Sequence, residues 1–150
     1  MTQGTAPSGA SYTLSRIDAQ DLGQEPTKAV CFEIATPAAG AQGCAPVPDA
    51  NGLIDGQPQR PSFAVLGADR FFAAVAPKGV KAMQVRIAGE AKAAASRSLD
   101  AGPAGTLLLV TVAGRTVSSR DPSSSREYEV RLLDANGGTV RTVAMSDPGV

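Results

Sequence analysis

The chain has 150 residues, enough for one domain with its own core and short for two. Its 14 Lys and Arg balance its 14 Asp and Glu, and the ten arginines are spread without a run of five, so bulk electrostatics draws it neither to nucleic acid nor to anionic lipid. A membrane-spanning helix needs about 20 successive apolar residues, and the longest apolar run is the short one around Leu107 to Ala113, so this segment is not expected to insert directly into a membrane.

Residues 1–10, MTQGTAPSGA, are small and polar and read as a flexible tether, because they offer too little apolar surface to offset ordering entropy. They also lack the basic start and apolar centre of a secretory leader. The chain is therefore either cytosolic or the mature part of an exported protein. Beyond them, apolar residues recur with period two, which on a pleated strand sends alternate side chains to one face.

In chain order the expected strands are 12–17, 29–34, Ser62–Leu66, 71–76, Ala82–Ile87, 106–112, 128–133 and 139–144. Alternation is clearest where Val30, Phe32 and Ile34 oppose Cys31 and Glu33, where Met83, Val85 and Ile87 oppose Gln84 and Arg86, and where Tyr128, Val130 and Leu132 oppose Glu129 and Arg131. The 106–112 run is apolar nearly throughout, as expected of a strand covered on both faces. Residues 90–99, EAKAAASRSL, have helix-forming composition and allow one short helix. The stretches 45–61 and 116–126 read as long loops, and Asp134 to Gly138, DANGG, as the turn of a β-hairpin. Gly and Pro at short intervals then argue for an all-β antiparallel sandwich spanning 11–145, with an immunoglobulin-like arrangement as one candidate and 146–150 as a flexible tail.

Cys31 and Cys44 bracket CFEIATPAAGAQGC, a hairpin-like segment whose ends suit a disulfide. Closing a loop of this size contributes about 3 kcal/mol in the chain-entropy model. The other reading is two buried thiols. Disulfides are ordinary in exported proteins and rare in the cytosol, which favours the bridge and an extracellular or cell-surface location. Structural zinc wants four Cys or His, and this chain has two Cys and no His.

The order CFEIATPAAGAQGC, a proline-rich linker, FFAAVAPKGVKAMQVRI and YEVRLLDANGGTVRT resembles uncharacterised exported domains of high-GC Gram-positive bacteria, over residues 29–143. That resemblance implies export and a sandwich fold. It carries no catalytic residues.

Without histidine there is no Ser-His-Asp or Cys-His arrangement, and no G-x-S-x-G, S-x-x-K, P-loop or G-x-G-x-x-G occurs. No catalytic set and no cofactor are expected. Paired carboxylates acting on glycosidic bonds remain the one enzymatic alternative. The aromatics, Tyr12, Phe32, Phe63, Phe71, Phe72 and Tyr128, sit mostly at core-like positions, leaving few as sugar platforms. Asp49, Asn51 and Asp55 place three oxygen ligands around Gly52 and give a candidate calcium loop, although calcium takes six to eight oxygens and the EF-hand order is not met. The competing reading is an Asx-type turn. The expected function is a non-catalytic extracytoplasmic module with a structural, adhesive or sensory role toward an unknown protein or surface ligand; a small-ligand or carbohydrate-binding module, assisted by calcium, is the alternative.

Overall fold

A computed structural model describes residues 1–113 and 126–147, with Arg126 and Asp147 described by their backbone alone. In chain order the strands are β1 (Thr2–Thr5), β2 (Ser11–Ile17), β3 (Ala29–Ala35), β4 (Gly40–Pro46), β5 (Leu53–Ile54), β6 (Gln57–Pro58), β7 (Ser62–Leu66), β8 (Asp69–Val75), β9 (Ala82–Ile87), β10 (Ala93–Ala95), β11 (Arg97–Asp100), β12 (Thr106–Ala113), β13 (Arg126–Leu133) and β14 (Thr139–Asp147). All pairings are antiparallel among the described residues. Three four-stranded sheets run in the orders β1-β2-β3-β4, β11-β12-β8-β7 and β10-β9-β13-β14, and β5-β6 is a separate small hairpin.

The fold is the expected all-β sandwich with one layer more than two sheets sharing a single interior. Period two explains the third layer. On β8, Phe71, Ala73 and Val75 belong to one core and Phe72 and Ala74 to another; on β12, Leu107 and Leu109 divide from Leu108, Val110 and Val112 in the same way. The first core is completed by Leu14, Val30, Phe32 and Ile34 of the first sheet, the second by Met83, Val85, Tyr128, Val130 and Leu132 of the third. Residues 71–75 are each 0–2% exposed, so the middle sheet is the wall between both cores. Each fully buried large apolar side chain contributes about 1.5–3 kcal/mol, and this sheet spends its side chains on two interfaces.

At its margins the middle sheet is fastened to the first by side chains. Thr2 Oγ1 donates to Ser98 O at 3.0 Å, joining β1 to β11, and Ser62 Oγ donates to Cys44 O at 2.9 Å, joining β7 to β4.

Four expectations are corrected by these strands. The supposed tether contains β1, in register with β2 from Thr2↔Leu14 to Thr5↔Ser11. Ala6 is buried, and Ser8 donates through its amide (3.1 Å) and hydroxyl to Asp69, which pins the hairpin tip onto the middle sheet. Gly4 is what admits this strand, since a Cβ there would fall 2.4 Å from the Tyr12 hydroxyl. The possible helix at 90–99 is instead β10 and β11, paired with β9 and β12. A ten-residue helix is marginal alone, whereas two open sheet edges satisfy its backbone and bury Leu99 at 6% exposure. The 45–61 stretch holds the end of β4 and the β5-β6 hairpin, and β14 carries Ser146 and Asp147 of the expected tail; residues 148–150, and the 116–126 loop save Arg126 at the start of β13, lie outside the described residues.

Removing a side chain from the dividing wall should cost far more than trimming one at the rim. Phe72→Ala is expected to lose about 3–5 kcal/mol in urea unfolding, and Val65→Ala, at a position 45% exposed, no more than about 0.5 kcal/mol.

Tyr12 closes the first core near β11. It is 3% exposed, stands edge-on to Phe71 at 5.3 Å between ring centroids and bonds Arg97. Burial raises its hydroxyl pKa above the ordinary 10.0, and the Arg97 charge and hydrogen bond oppose that rise only in part. A raised folded pKa keeps the stabilising contribution whole below pH 10 and loses it as pH climbs through the folded value. Tyr12→Phe should therefore flatten the alkaline limb of a stability-versus-pH curve and leave the neutral region's slope unchanged.

Candidate binding face and the sites expected from sequence

Cys31 and Cys44 form the disulfide, at directly opposed positions of β3 and β4 with Cα atoms 4.0 Å apart. They face away from the first core, yet Cys31 is 1% exposed because the segment after β2 folds back over it. That segment is a 3-10 turn, Ala19–Leu22, started by Asp18 Oδ1 accepting from Gln20 N at 3.0 Å and ended at Gly23 with φ 71°. A shallow depression of about 490 Å³ lies between this turn and the bridge, with Arg16, Asp18 and Gln20 on its rim.

Asp49 and Asn51 stand in one turn and Asp55 in the next. Asp49 Oδ1 accepts from Asn51 N at 2.8 Å and Leu53 N at 3.0 Å, Asp49 O accepts from Gly52 N at 3.0 Å, and Gly52 has φ 76°. The expected hairpin turn repeats this arrangement with the same four residues, Asp-Ala-Asn-Gly. Asp134 Oδ1 accepts from Asn136 N at 2.9 Å and Gly138 N at 2.8 Å, Asp134 O accepts from Gly137 N at 3.1 Å, and Gly137 has φ 82°. Asp49 is thus occupied as the backbone clamp of an Asx-type turn. Asp55 has φ 51° and with Gly56, φ 77°, makes the two-residue loop of the β5-β6 hairpin, where both positions must be left-handed. Among the described residues no three His, Cys, Asp or Glu are grouped so as to hold a metal ion.

Because the two tetrapeptide turns share one set of bonds, Asp49→Ala and Asp134→Ala should destabilise similarly, by about 1–3 kcal/mol each for lost charge-assisted bonds. Melting curves run with calcium and with a chelator should superimpose for the parent and for both variants.

Five of the six aromatics, Tyr12, Phe32, Phe71, Phe72 and Tyr128, are 0–3% exposed, and Phe63 packs partly buried against the second core. They hold sheets together through edge-on stacking, as in Phe72 with Tyr128 at 5.1 Å. The buried acid Asp69 is occupied by Ser8.

What sequence reasoning missed is a polar trough of about 330 Å³ on the outer face of the third sheet. Register puts Arg86 beside Glu129 and Gln84 beside Arg131, with small Ala91 and Ala93 leaving the floor open. Arg86 Nη2 lies 3.3 Å from Glu129 Oε2, and Arg131 Nε 2.7 Å from Glu129 Oε1. Two guanidinium forks carry ten N–H donors between them, more than one carboxylate can accept, so the surplus suits an added carboxylate or another planar anion. These side chains are 30–44% exposed, and such ion pairs contribute at most about 1 kcal/mol to stability. The available signal was the pair of strand patterns Gln84-Val85-Arg86 and Glu129-Val130-Arg131, whose polar members share a face.

The chain has no significant match to any family model, characterised protein or solved structure.

Proposed function

We propose that this is a non-catalytic β-sandwich module acting outside the cytoplasm as a structural, adhesive or sensory part of a secreted or cell-surface protein, and that strands β7 to β14 form an immunoglobulin-like unit within it. Strand order carries the reading. The orders β7-β8-β12-β11 and β10-β9-β13-β14 follow the A-B-E-D and C′-C-F-G sheets of an immunoglobulin-type sandwich. Tyr128, near the start of β13, occupies the region of the F strand where such domains keep a buried tyrosine.

The departures are physical as well. There is no Trp, and the disulfide lies between neighbouring strands of the added first sheet rather than across the two sheets of the unit. That added sheet covers the A-B-E-D face, which accounts for β8 and β12 being apolar on both sides. The bridge supports an oxidising compartment, and the motif likeness to exported domains of high-GC Gram-positive bacteria points the same way. A carbohydrate-binding reading loses its aromatic platforms to the cores, and the Arg86–Glu129–Arg131 trough favours a small anionic ligand instead.

The test is where the protein resides and in which redox state. Cell fractionation with thiol alkylation under denaturing, non-reducing conditions should find it outside the cytoplasm with no alkylatable thiol; a cytoplasmic pool with both Cys31 and Cys44 free would overturn the proposal. In the purified protein, replacing both cysteines by alanine should cost about 3 kcal/mol.

A further inference from the structure

Strand β14 ends the third sheet, pairing with β13 on one side only. Its length is nine residues, against three for β10 at the other end of the same sheet. The margins of the first and middle sheets are fastened to each other by Thr2 with Ser98 and Ser62 with Cys44. Among the described residues β14 is the longest edge strand of the three sheets, and no hydrogen bond fastens its free side to a neighbouring strand. Proteins blunt such edges with Lys, Pro, bulges or inward charges, and residues 142–146, Thr-Val-Ala-Met-Ser, have none of these residues.

The direction of its free backbone groups follows from register. Ala88 N donates to Glu127 O at 2.9 Å, so odd-numbered residues of β13 bond toward β9 and even-numbered ones toward β14. Tyr128, Val130 and Leu132 face Met145, Val143 and Arg141. That leaves the N–H and C=O of Thr142, Ala144 and Ser146 pointing out of the sheet, beside exposed small side chains.

We propose that the occupant of this edge is β14 of a second copy of the chain, paired antiparallel about a two-fold axis at Ala144. Outward-pointing groups of two antiparallel copies bond whether the axis falls on an even-numbered residue, through a hydrogen-bonded pair, or on an odd-numbered one, through a non-hydrogen-bonded pair, so charge selects the register. The register centred on Ala144 sets Thr142 across from Ser146, apolar Val143 across from Met145, and the strand's one cation, Arg141, across from its one acid, Asp147. Centring on any other residue of the strand loses that charge match. Val143 and Met145 already pack on the second core, so the pairing extends that core between subunits and joins two four-stranded sheets into one of eight.

The experiment is sedimentation velocity over a concentration series, with cysteine crosslinking to read the register. The parent chain should dimerise reversibly. Ala144→Pro removes an N–H that β13 does not use, and should yield a monomer with near-parental melting temperature. Asp147→Arg, which sets like charges opposite each other, should raise Kd by at least ~10-fold, the equivalent of about 1.4 kcal/mol. Under mild oxidation Ala144→Cys should form a covalent dimer, since facing Cα atoms in such a pair lie about 5.5 Å apart. Thr142→Cys should not, because its symmetry mate is four residues, roughly 13 Å, along the partner strand. A parent chain that stays monomeric throughout overturns the proposal, as does a dimer that persists in Ala144→Pro or equal crosslinking of the two cysteine variants.

Discussion

The structure depends on the burial of β8 and β12 on both faces. A strand normally has one side to hide and one to wet, but the middle sheet hides two, and so requires a partner on each side. Every other layer is positioned by this requirement. The third sheet takes the face of Phe72, Ala74, Leu108 and Val110, and the first sheet takes the face of Phe71, Ala73, Val75, Leu107 and Leu109. The small side chains that dominate the chain make the arrangement workable, because Ala73 and Ala74 let sheets approach while Phe71 and Phe72 fill the remaining space.

The disulfide and the Asp-Ala-Asn-Gly turns act at a more local level. The bridge staples one hairpin of the outermost sheet, where neither side chain adds to either core. The two turns hold chain reversals in which the aspartate supplies hydrogen bonds that the backbone cannot find for itself. Arg141 ties these features together, since its Nη1 donates to Gly52 O at 3.2 Å, linking the first of the turns to the strand that follows the second. The first and third sheets each keep one face that no other sheet covers, and on the third that face carries the Arg86–Glu129–Arg131 trough.

Much of the strand set was legible from alternation alone. Ala82–Ile87 and Ser62–Leu66 coincide with β9 and β7, and the hairpin at 134–138 and the Cys31–Cys44 pair follow from turn chemistry and spacing. Residues 1–10 and 90–99 were not legible, because short segments of Ala, Ser, Thr and Gly carry no strong periodicity. What they become is set by the sheet edges they meet. The polar trough was equally hidden, since Arg86 and Glu129 lie 43 positions apart and meet only through the β9–β13 register.

By itself, then, the sequence determined that the chain is β-rich, which faces of its strands are apolar, where it turns and which chemistries its side chains lack, all of them properties of a residue and its near neighbours. Only the tertiary structure decided that the sheets stack three deep, that residues 2–5 are a strand, that Asp49 and Asp55 serve separate turns and that two arginines share one carboxylate. Those outcomes depend on which distant strands become adjacent. Adjacency is settled by the joint burial of whole faces, which no single segment encodes.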